Sequence, residues 1–343
     1  MGRYSVNNPY PYAYKHVLFF AVLLVSISLL TPGCKSDPVT PKGERQLRGL
    51  VVDLAGRPLS GIDVVAHGVR GTTDEQGLFE LSDVEILADR GVVTASGEGY
   101  FASVLGFVPS DDEALFVELR MTALEVAAAL DAAAGGQAAL PNGAGVEIPA
   151  SAIRRADGTA YSGSVEVALV HLDPSSPDFA ATVSGGDLQA LRSDDSEASL
   201  YSYGILRVEL RDPVGNELQL DGGNTSTIRI PVPPSMAGNA PATIPLWYLD
   251  EATGLWMEEG EATLTGNVYV GTVTHFTDWN CDVPEGTATV TGRIVDCNDK
   301  PVPNIDVQVG QGSTDAAGYF TRRVPANTPF QVTTAGSAAP YRR

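Results

Sequence analysis

A stretch near the start of the chain is repeated near its end, and this repeat constrains the fold more than any other feature. The first copy begins at Gly49 and reads GLVVDLAGRPLSGIDVVAHGVRGTTDEQGLFEL; the second begins at Gly292 and reads GRIVDCNDKPVPNIDVQVGQGSTDAAGYFTRRV. The positions that match at constant offset are Asp53, Pro58, Ile62, Asp63 and Val64 against Asp296, Pro301, Ile305, Asp306 and Val307. After a loop shorter by two residues, Asp74-x-x-Gly77-x-Phe79 matches Asp315-x-x-Gly318-x-Phe320. A repeat this regular indicates one supersecondary unit used twice.

The pattern within each copy predicts β-strands joined by tight turns. A β-rich run meets a turn at residues 54–57 or 297–300, and a proline and a second strand follow. Ile62 and Val64 share one face of that second strand because side chains alternate along a strand. Asp and Gly in the next turn supply the local hydrogen bond and the positive φ that a tight reversal needs. We expect Phe79 and Phe320 to pack inward.

Both copies resemble the carboxypeptidase regulatory-like domain, a transthyretin-like β-sandwich of about seven strands. The resemblance implies one such domain at residues 47–121 and a second at residues 284–343. It also implies an all-β fold of consecutive sandwiches, transthyretin-like or immunoglobulin-like. The second copy stops about twenty residues before the point at which the first one ends. We therefore expect an incomplete C-terminal sandwich, and a chain that is a fragment of a longer protein.

The resemblance is to a non-catalytic accessory domain, so it does not imply a peptidase. A zinc carboxypeptidase needs a His-x-x-Glu pair and a distant histidine as metal ligands. The four histidines lie in HVLF, HGVR, HLDP and HFTD, and none of these supplies that pair. We expect no metal, no cofactor and no enzyme activity.

The middle segment, residues 122–283, predicts another sandwich. Short strands alternate with turns, for example at Asp212-Pro213-Val214-Gly215 and at Gly266-Asn267. Residues 122–134 (TALEVAAALDAAA) are alanine-rich and fit either a short helix or a strand. The edges of the segment, GGQAALPNGAGVEIP from Gly135 and VTHFTDW from Val273, resemble the ZU-type domain of ankyrins and netrin receptors.

Self-cleaving relatives of that domain cut before a serine or threonine that follows His-Phe or His-Leu. The resemblance implies Thr277 as the nucleophile, Phe276 as the donor of the attacked carbonyl and His275 as the base. The alternative is structural and is the one we favour: Phe276 in the core, with His275 and Thr277 facing solvent at a strand end. Similarly, Trp247, Trp256 and Trp279 either stack on sugar rings or pack in a core.

The start of the chain predicts export. Arg3, Lys15 and His16 precede a fourteen-residue apolar run, Val17 to Leu30, which is shorter than the ~20 residues of a membrane span. The sequence that follows, LTPGC, resembles the end of a bacterial lipoprotein signal peptide. That resemblance implies a signal peptide at 1–33, lipidation of Cys34, a polar tether at 34–46, and a lipid anchor in the bacterial cell envelope, at the outer membrane.

The net charge and the cysteines limit which partners the chain can have. With 22 Lys and Arg against 42 Asp and Glu, the formal net charge is −20, which argues against nucleic acid as a partner. If Cys34 carries lipid, Cys281 and Cys297 remain in an exported chain, where disulfides persist. They either pair with each other or find partners in sequence beyond this chain.

Together these features predict a lipid-anchored envelope protein of β-sandwich modules for adhesion, ligand binding or scaffolding. Its partners would be the membrane, through the N-terminal lipid, and an unknown protein or glycan. One alternative is a self-cleaving surface protein cut at Phe276–Thr277. A second is a carbohydrate-binding accessory protein, since regulatory-like sandwiches resemble starch-binding domains.

Overall fold

The structure is a computed structural model that describes residues 41–308, 313–326 and 332–335. The predicted signal peptide and Cys34 lie outside these residues. The chain divides into two compact units, residues 1–38 and 39–343, and all that follows concerns the second unit. That unit is built almost entirely of strands, which confirms the all-β prediction. Within the described ranges, no helix is long and apolar enough to cross a membrane.

The first copy of the repeat forms two small sheets that face each other. Their strands are β1 (Pro41–Asp53), β2 (Asp63–Ala66), β3 (Val69–Thr72), β4 (Leu78–Leu87), β5 (Gly91–Ser96), β6 (Ser103–Phe107) and β7 (Ala114–Met121). One sheet has the order β4-β1-β7 and the other β3-β2-β5-β6. Strand β1 lies between an antiparallel neighbour, β4, and a parallel one, β7. Alternate residues of these strands, such as Leu47, Val64, Phe79 and Leu119, fill the core between the sheets.

The middle segment forms one network of thirteen paired strands. Their bounds are β8 (Val126–Asp131), β9 (Gly136–Ala139), β10 (Gly145–Ile148), β11 (Ile153–Arg155), β12 (Ser164–Leu172), β13 (Gln189–Leu191), β14 (Glu197–Arg211), β15 (Glu217–Leu220), β16 (Ser226–Pro231), β17 (Thr243–Asp250), β18 (Leu255–Thr265), β19 (Val268–Val273) and β20 (Asp278–Glu285). The main path runs β11-β15-β14-β20-β17-β18-β19-β16-β10-β9. Off this path, β12 pairs with β14 and β8, and β13 pairs with β14 and β18. Helix α1 (Phe179–Thr182) and a 3₁₀ turn (Ala237–Asn239) interrupt the strands.

Two details of this segment bear on the sequence predictions. The alanine-rich stretch is a strand, because β8 pairs antiparallel with β12 and obtains its backbone partners there. Strand β20 ends at Glu285, so the network continues two residues past the predicted domain boundary at 283. The longest strand, β14, pairs with β12, β13, β15 and β20 and forms the centre of the network.

The second copy of the repeat shows four strands within the described ranges: β21 (Thr287–Arg293), β22 (Asp306–Gln308), β23 (Tyr319–Pro325) and β24 (Thr333–Ala335). Strand β21 pairs antiparallel with β23, and β22 pairs antiparallel with β24. Val307, Phe320 and Val324 form a small core between the two pairs. Phe320 therefore packs inward as Phe79 does, as the repeat predicts.

Candidate functional site

The tripeptide His275-Phe276-Thr277 lies in a bend between β19 and β20 rather than on a regular strand. Phe276 is buried in the core of the middle segment. Its backbone is held by one side chain: the Phe276 N–H donates to Gln219 Oε1 (2.6 Å), and Gln219 Nε2 donates to the Phe276 carbonyl (2.9 Å). These two hydrogen bonds fix the position of the carbonyl that a self-cleavage reaction would attack.

His275 is half-buried and its ring packs against two aromatic rings. The ring centroids lie 4.7 Å from Tyr248 and 5.1 Å from Trp279, and Nδ1 lies 3.2 Å from Thr274 Oγ1. Burial lowers the pKa of His275, although the charge of Glu259 opposes this effect. The imidazole is therefore held in its neutral form, in which it can accept a proton.

The hydroxyl of Thr277 has a hydrogen-bond partner other than that base. Thr277 Oγ1 donates to the carbonyl oxygen of the next residue, Asp278 (3.2 Å). In the described structure His275 and Thr277 thus make separate hydrogen bonds and do not form a nucleophile–base pair. On a regular strand residues 275 and 277 would share one face, and the bend at these residues removes that alternation.

Asp278, directly after the tripeptide, belongs to a buried charge cluster where the first copy meets the middle segment. Arg207 Nε donates to Asp278 Oδ1 (2.9 Å), and both side chains are almost fully buried. Arg207 Nη2 also donates to the carbonyl of Ala102 (2.5 Å), and its guanidinium lies over the ring of Phe101 at 5.3 Å. Ser184 donates a hydrogen bond to the other oxygen of Asp278. One buried arginine thus ties a loop of the first copy to β14 and β20.

A pocket of about 140 Å³ opens beside this cluster and is lined by Thr277, Arg207 and several carboxylates. Burial raises the pKa of Glu209, and the guanidinium of Arg211 offsets part of that effect. Glu251 keeps much of its surface in solvent, yet protein atoms crowd its carboxylate, so burial and then the nearby Asp278 raise its pKa. The carboxylates of the pocket therefore favour their protonated form or a bound cation, and they disfavour a bound anion. Within the described ranges, no three His, Cys, Asp or Glu side chains converge as a metal-ligand set.

A second arginine, Arg90, forms the other attachment of the first copy. Arg90 is buried and makes a bidentate ion pair with Asp187, with nitrogen–oxygen distances of 2.9–3.0 Å. Its remaining donors reach the carbonyls of Gly185 (3.1 Å), Thr253 (3.0 Å) and Gly254 (2.6 Å). A methyl group added at Gly106 would lie 2.0 Å from the guanidinium, so a larger residue there would have to displace Arg90 from its partners.

Apolar side chains complete this contact. Val104 of the first copy belongs to the same buried cluster as Leu200, Trp247 and Trp256 of the middle segment. Because the two segments share one core and two buried arginine clusters, they form a single packed unit. We call this contact, with Arg90, Arg207 and the shared apolar cluster, the junction.

The sequence patterns did not reveal the junction, although one signal was present. Arg207 interrupts the apolar run from Tyr203 to Leu210 in the longest strand, and a charged residue there is buried only if it is paired. Arg90 carries no such signal, because it stands in a polar stretch (ADRG).

All three tryptophans are fully buried, so none can stack on a sugar ring from solvent. Trp247 Nε1 donates to the carbonyl of Asp282 (3.0 Å), and Trp279 Nε1 donates to the carbonyl of His275 (3.0 Å). The core interpretation of the tryptophans is therefore correct, and the sugar-stacking interpretation is wrong.

Of the two alternatives for Cys281 and Cys297, a disulfide between them is not formed in this structure. Cys281 lies on β20 with its thiol inside the core, and burial raises its pKa well above the usual value. Cys297 is exposed in the turn that follows Asp296. The chain passes from the core to the surface between the two residues instead of running back alongside itself.

Next to Cys281 lies a buried carboxyl group. Asp282 is fully buried, and burial raises its pKa well above the usual value. One oxygen accepts a hydrogen bond from Asn280, which in turn accepts one from Ser202 (3.0 Å). Burial therefore favours the neutral form of this carboxyl, while its hydrogen bond from Asn280 opposes that effect.

Comparison with known proteins gives partial matches. No family model matches the chain. Mouse cartilage intermediate layer protein 2 is 34% identical over 234 residues, which are 64% of this chain and 20% of that protein. Human cartilage intermediate layer protein 1 is 31% identical over 120 residues, 34% of this chain and 10% of that protein. The chain thus spans about a fifth or less of these curated relatives.

Among solved structures, the major pilin SpaD of Corynebacterium diphtheriae covers 83% of this chain and 81% of its own, at 8% sequence identity. Its TM-score is 0.21, so the similarity carries no argument about the fold or the function of this chain.

Proposed function

We propose that this chain is a lipid-anchored, non-catalytic module of the bacterial cell envelope that serves as a rigid scaffold for binding another protein. The observation that carries the proposal is the junction. It joins the first copy and the middle segment through two buried arginine clusters and one shared core. Such a contact prevents the two segments from moving relative to each other. It therefore suits a protein that holds a fixed shape rather than one that opens and closes around a substrate.

Two further features support a scaffold. The acidic surface, with a net charge of −20, keeps the protein soluble beside a membrane and disfavours nucleic acid as a partner. The curated relatives are named for a layer of cartilage, and such a name supports a structural role for the segment that they share with this chain.

Limited proteolysis of the full chain tests the rigid scaffold. The first copy and the middle segment should resist cleavage between residues 121 and 126 and should be released as one fragment. The variant Asp187→Ala, which leaves Arg90 without its carboxylate, should be cut there earlier. Equal and rapid cleavage of both proteins at this connection would show that the two sandwiches are independent.

Expression in a Gram-negative bacterium tests the anchor. The full chain should incorporate labelled fatty acid and sediment with membranes, whereas Cys34→Ala should do neither. If the parent protein remains soluble and unlabelled, the anchor is wrong, while the scaffold proposal still depends on the proteolysis result.

Self-cleavage at Phe276–Thr277 is the second candidate, and one contact favours it: Gln219 Nε2 donates to the carbonyl that would be attacked. In that reaction the Thr277 oxygen adds to the Phe276 carbonyl carbon, the acyl group moves from nitrogen to oxygen, and water hydrolyses the ester. Electrophoresis of the purified chain separates the two functions. The scaffold predicts a single full-length band; two fragments that disappear in both Thr277→Ala and Thr277→Val would establish cleavage instead.

A further inference from the structure

The chain contains a single Asn-Gly dipeptide, Asn142-Gly143, and it lies in the turn between β9 and β10. Gly143 N–H donates to the Leu140 carbonyl (2.9 Å), and Leu140 N–H donates to the Ala144 carbonyl (2.8 Å). Asn142 and Gly143 are exposed, whereas Ala144 is buried. A Cβ added at Gly143, which has a φ of +90°, would meet no described atom within 4 Å. The dipeptide is thus held at the tip of a hairpin that solvent reaches.

The side chain of Asn142 has two partners that fix the orientation of its amide. Ala144 N–H donates to Oδ1 (3.1 Å), and because a backbone N–H can only donate, the atom that it meets must be the amide oxygen. The amide nitrogen, Nδ2, therefore faces the second partner, His171 Nδ1, at 3.0 Å. In this contact Nδ1 is the acceptor, so these hydrogen bonds assign the proton of the neutral ring to Nε2.

His171 lies on β12, and its ring is held between the turn and the interior of the middle segment. Nε2 lies close to Gly204, since an added Cβ there would be 3.2 Å from Nε2 and 3.3 Å from the Pro231 carbonyl oxygen. Burial lowers the pKa of His171, while the charge of Asp173 and the Pro231 carbonyl oppose this effect. At neutral pH the contact between Asn142 and His171 therefore joins two uncharged groups.

An asparagine that precedes glycine can lose its amide, because glycine has no side chain to hinder attack by its own nitrogen. In that reaction the Gly143 nitrogen adds to Cγ of Asn142, and a five-membered succinimide closes. Nδ2 leaves as ammonia and takes up the proton that the Gly143 nitrogen gives up. Water then opens the ring at either carbonyl and leaves aspartate or isoaspartate.

The turn both assists and restrains this reaction. The hydrogen bond from Ala144 N–H holds the side-chain amide beside the backbone and polarises its carbonyl towards attack. The hydrogen bond from Gly143 N–H to Leu140 occupies the attacking nitrogen and must open first. Local opening of an exposed turn requires less free energy than unfolding of the strands that it joins. The reaction therefore needs a movement of the turn and leaves the sandwich folded.

We propose that Asn142 is a site of spontaneous deamidation in the folded chain, and that the aspartate formed there turns its neutral contact with His171 into an ion pair. Both oxygens of a carboxylate are acceptors, as is Nδ1 of the neutral ring, so the two groups repel each other until the imidazole takes up a proton. The new charge therefore raises the pKa of His171. The proposal depends neither on the junction nor on the lipid anchor.

Peptide mapping of the full chain by mass spectrometry, after incubation at mildly alkaline pH, tests the modification. Asn267 is the matched control, because it is also exposed in a hairpin turn and its Nδ2 donates to a carbonyl, that of Val232 (2.6 Å). The residue after Asn267 is the β-branched Val268, which hinders the attack. Asn142 should lose its amide at least about tenfold faster than Asn267, with both aspartate and isoaspartate as products.

The same incubation in urea measures the rate without the turn. If Asn142 deamidates in urea but not in the folded chain, the turn protects the residue and the proposal is wrong. Equal rates at Asn142 and Asn267 in the folded chain would contradict it as well.

The variant Asn142→Asp tests the effect on His171. NMR titration of the imidazole protons should give a higher pKa for His171 in Asn142→Asp than in the parent chain, and His171→Gln identifies the signal. Asn267→Asp adds the same charge at the other turn and should leave the pKa of His171 unchanged. If His171 titrates alike in both aspartate variants, the new carboxylate does not pair with it, and the proposed ion pair is refuted.

Discussion

The two copies of the repeat share a sequence pattern but have different surroundings, and the comparison separates local from tertiary causes. In both copies a glycine of the first strand leaves room for a phenylalanine of its neighbour; an added Cβ at Gly49 or Gly292 would lie 2.4 Å from that ring. In the first copy β7 pairs with the second edge of β1, and Arg90 joins the copy to the middle segment. In the second copy Val290 and Ile294 remain partly exposed. Local chemistry therefore sets the turns and the pairing, while neighbouring strands set how much each copy is stabilised.

Breaking the attachment of the first copy should have the largest effect on stability. Arg90→Met leaves Asp187 buried without its cation, which is expected to cost about 3–5 kcal/mol of unfolding free energy. Urea unfolding followed by tryptophan fluorescence reports it, because Trp256 lies in the shared core.

Arg70→Met on the exposed strand β3 is the matched control and should change stability by less than about 0.5 kcal/mol. If Arg90→Met is as mild as Arg70→Met, the ion pair does not join the two segments.

Removing the core phenylalanine should reveal unequal support in the two copies. Phe79→Ala should cost about 3–5 kcal/mol, as for a large side chain in a packed core. Phe320→Ala should cost less, since its neighbours Val290 and Ile294 already contact solvent. Hydrogen exchange of β4 and β23 amides measures the two losses separately, and equal losses would show that the second copy is as well supported as the first.

The first turn of each copy should make stability depend on acid. Asp296 has a lowered pKa because it accepts hydrogen bonds from the N–H groups of Lys300 and Asn298. Burial by itself raises the pKa of Asp53, but hydrogen bonds from Arg57 and Ala55 outweigh that effect and lower it. A carboxylate with a lowered pKa stabilises the folded state above its unfolded pKa of 3.8, and this contribution is lost as the pH falls through the folded value.

Thermal melts between pH 7 and pH 2 measure this contribution. Asp53→Asn and Asp296→Asn should each be less stable than the parent at pH 7, and the difference should shrink below pH 4. Asp53→Asn should have the larger effect, because it also loses the ion pair with Arg57. A difference that stays constant across the pH range would mean that the charge of the carboxylate is not the cause.

The smallest effect is on thiol chemistry rather than on stability. In a Cys34→Ala background, a maleimide should modify Cys297 at once and Cys281 only after unfolding, because burial of Cys281 both shields its thiol and raises its pKa. Mass spectrometry counts the maleimide groups added to each protein. The Cys297→Ser variant should add no maleimide under native conditions. If neither thiol reacts until a reductant is added, the two cysteines are paired after all.

Much of the fold could be predicted from the sequence, because turns and alternation are local. The repeat predicted the matching turns at Asp53 and Asp296 and the inward Phe79 and Phe320. The tripeptide at His275 was found as a motif, but its geometry was not: the prediction assumed a strand, and the chain bends there. The alanine-rich stretch could not be assigned because helix and strand differ in their hydrogen-bond partners, and only β12 supplies them.

By itself the sequence determined an all-β chain in which one supersecondary unit occurs twice, since strand periodicity and turn residues act over a few positions. Tertiary structure alone decided that Arg207 meets Asp278, that Arg90 meets Asp187, and that Cys281 and Cys297 stay apart. It also decided that β1 is covered on both edges and that, within the described ranges, β21 pairs on one. These outcomes depend on which distant segments pack together. A local pattern, such as a charged Arg207 within an apolar run, can indicate that a side chain is buried but does not name its partner.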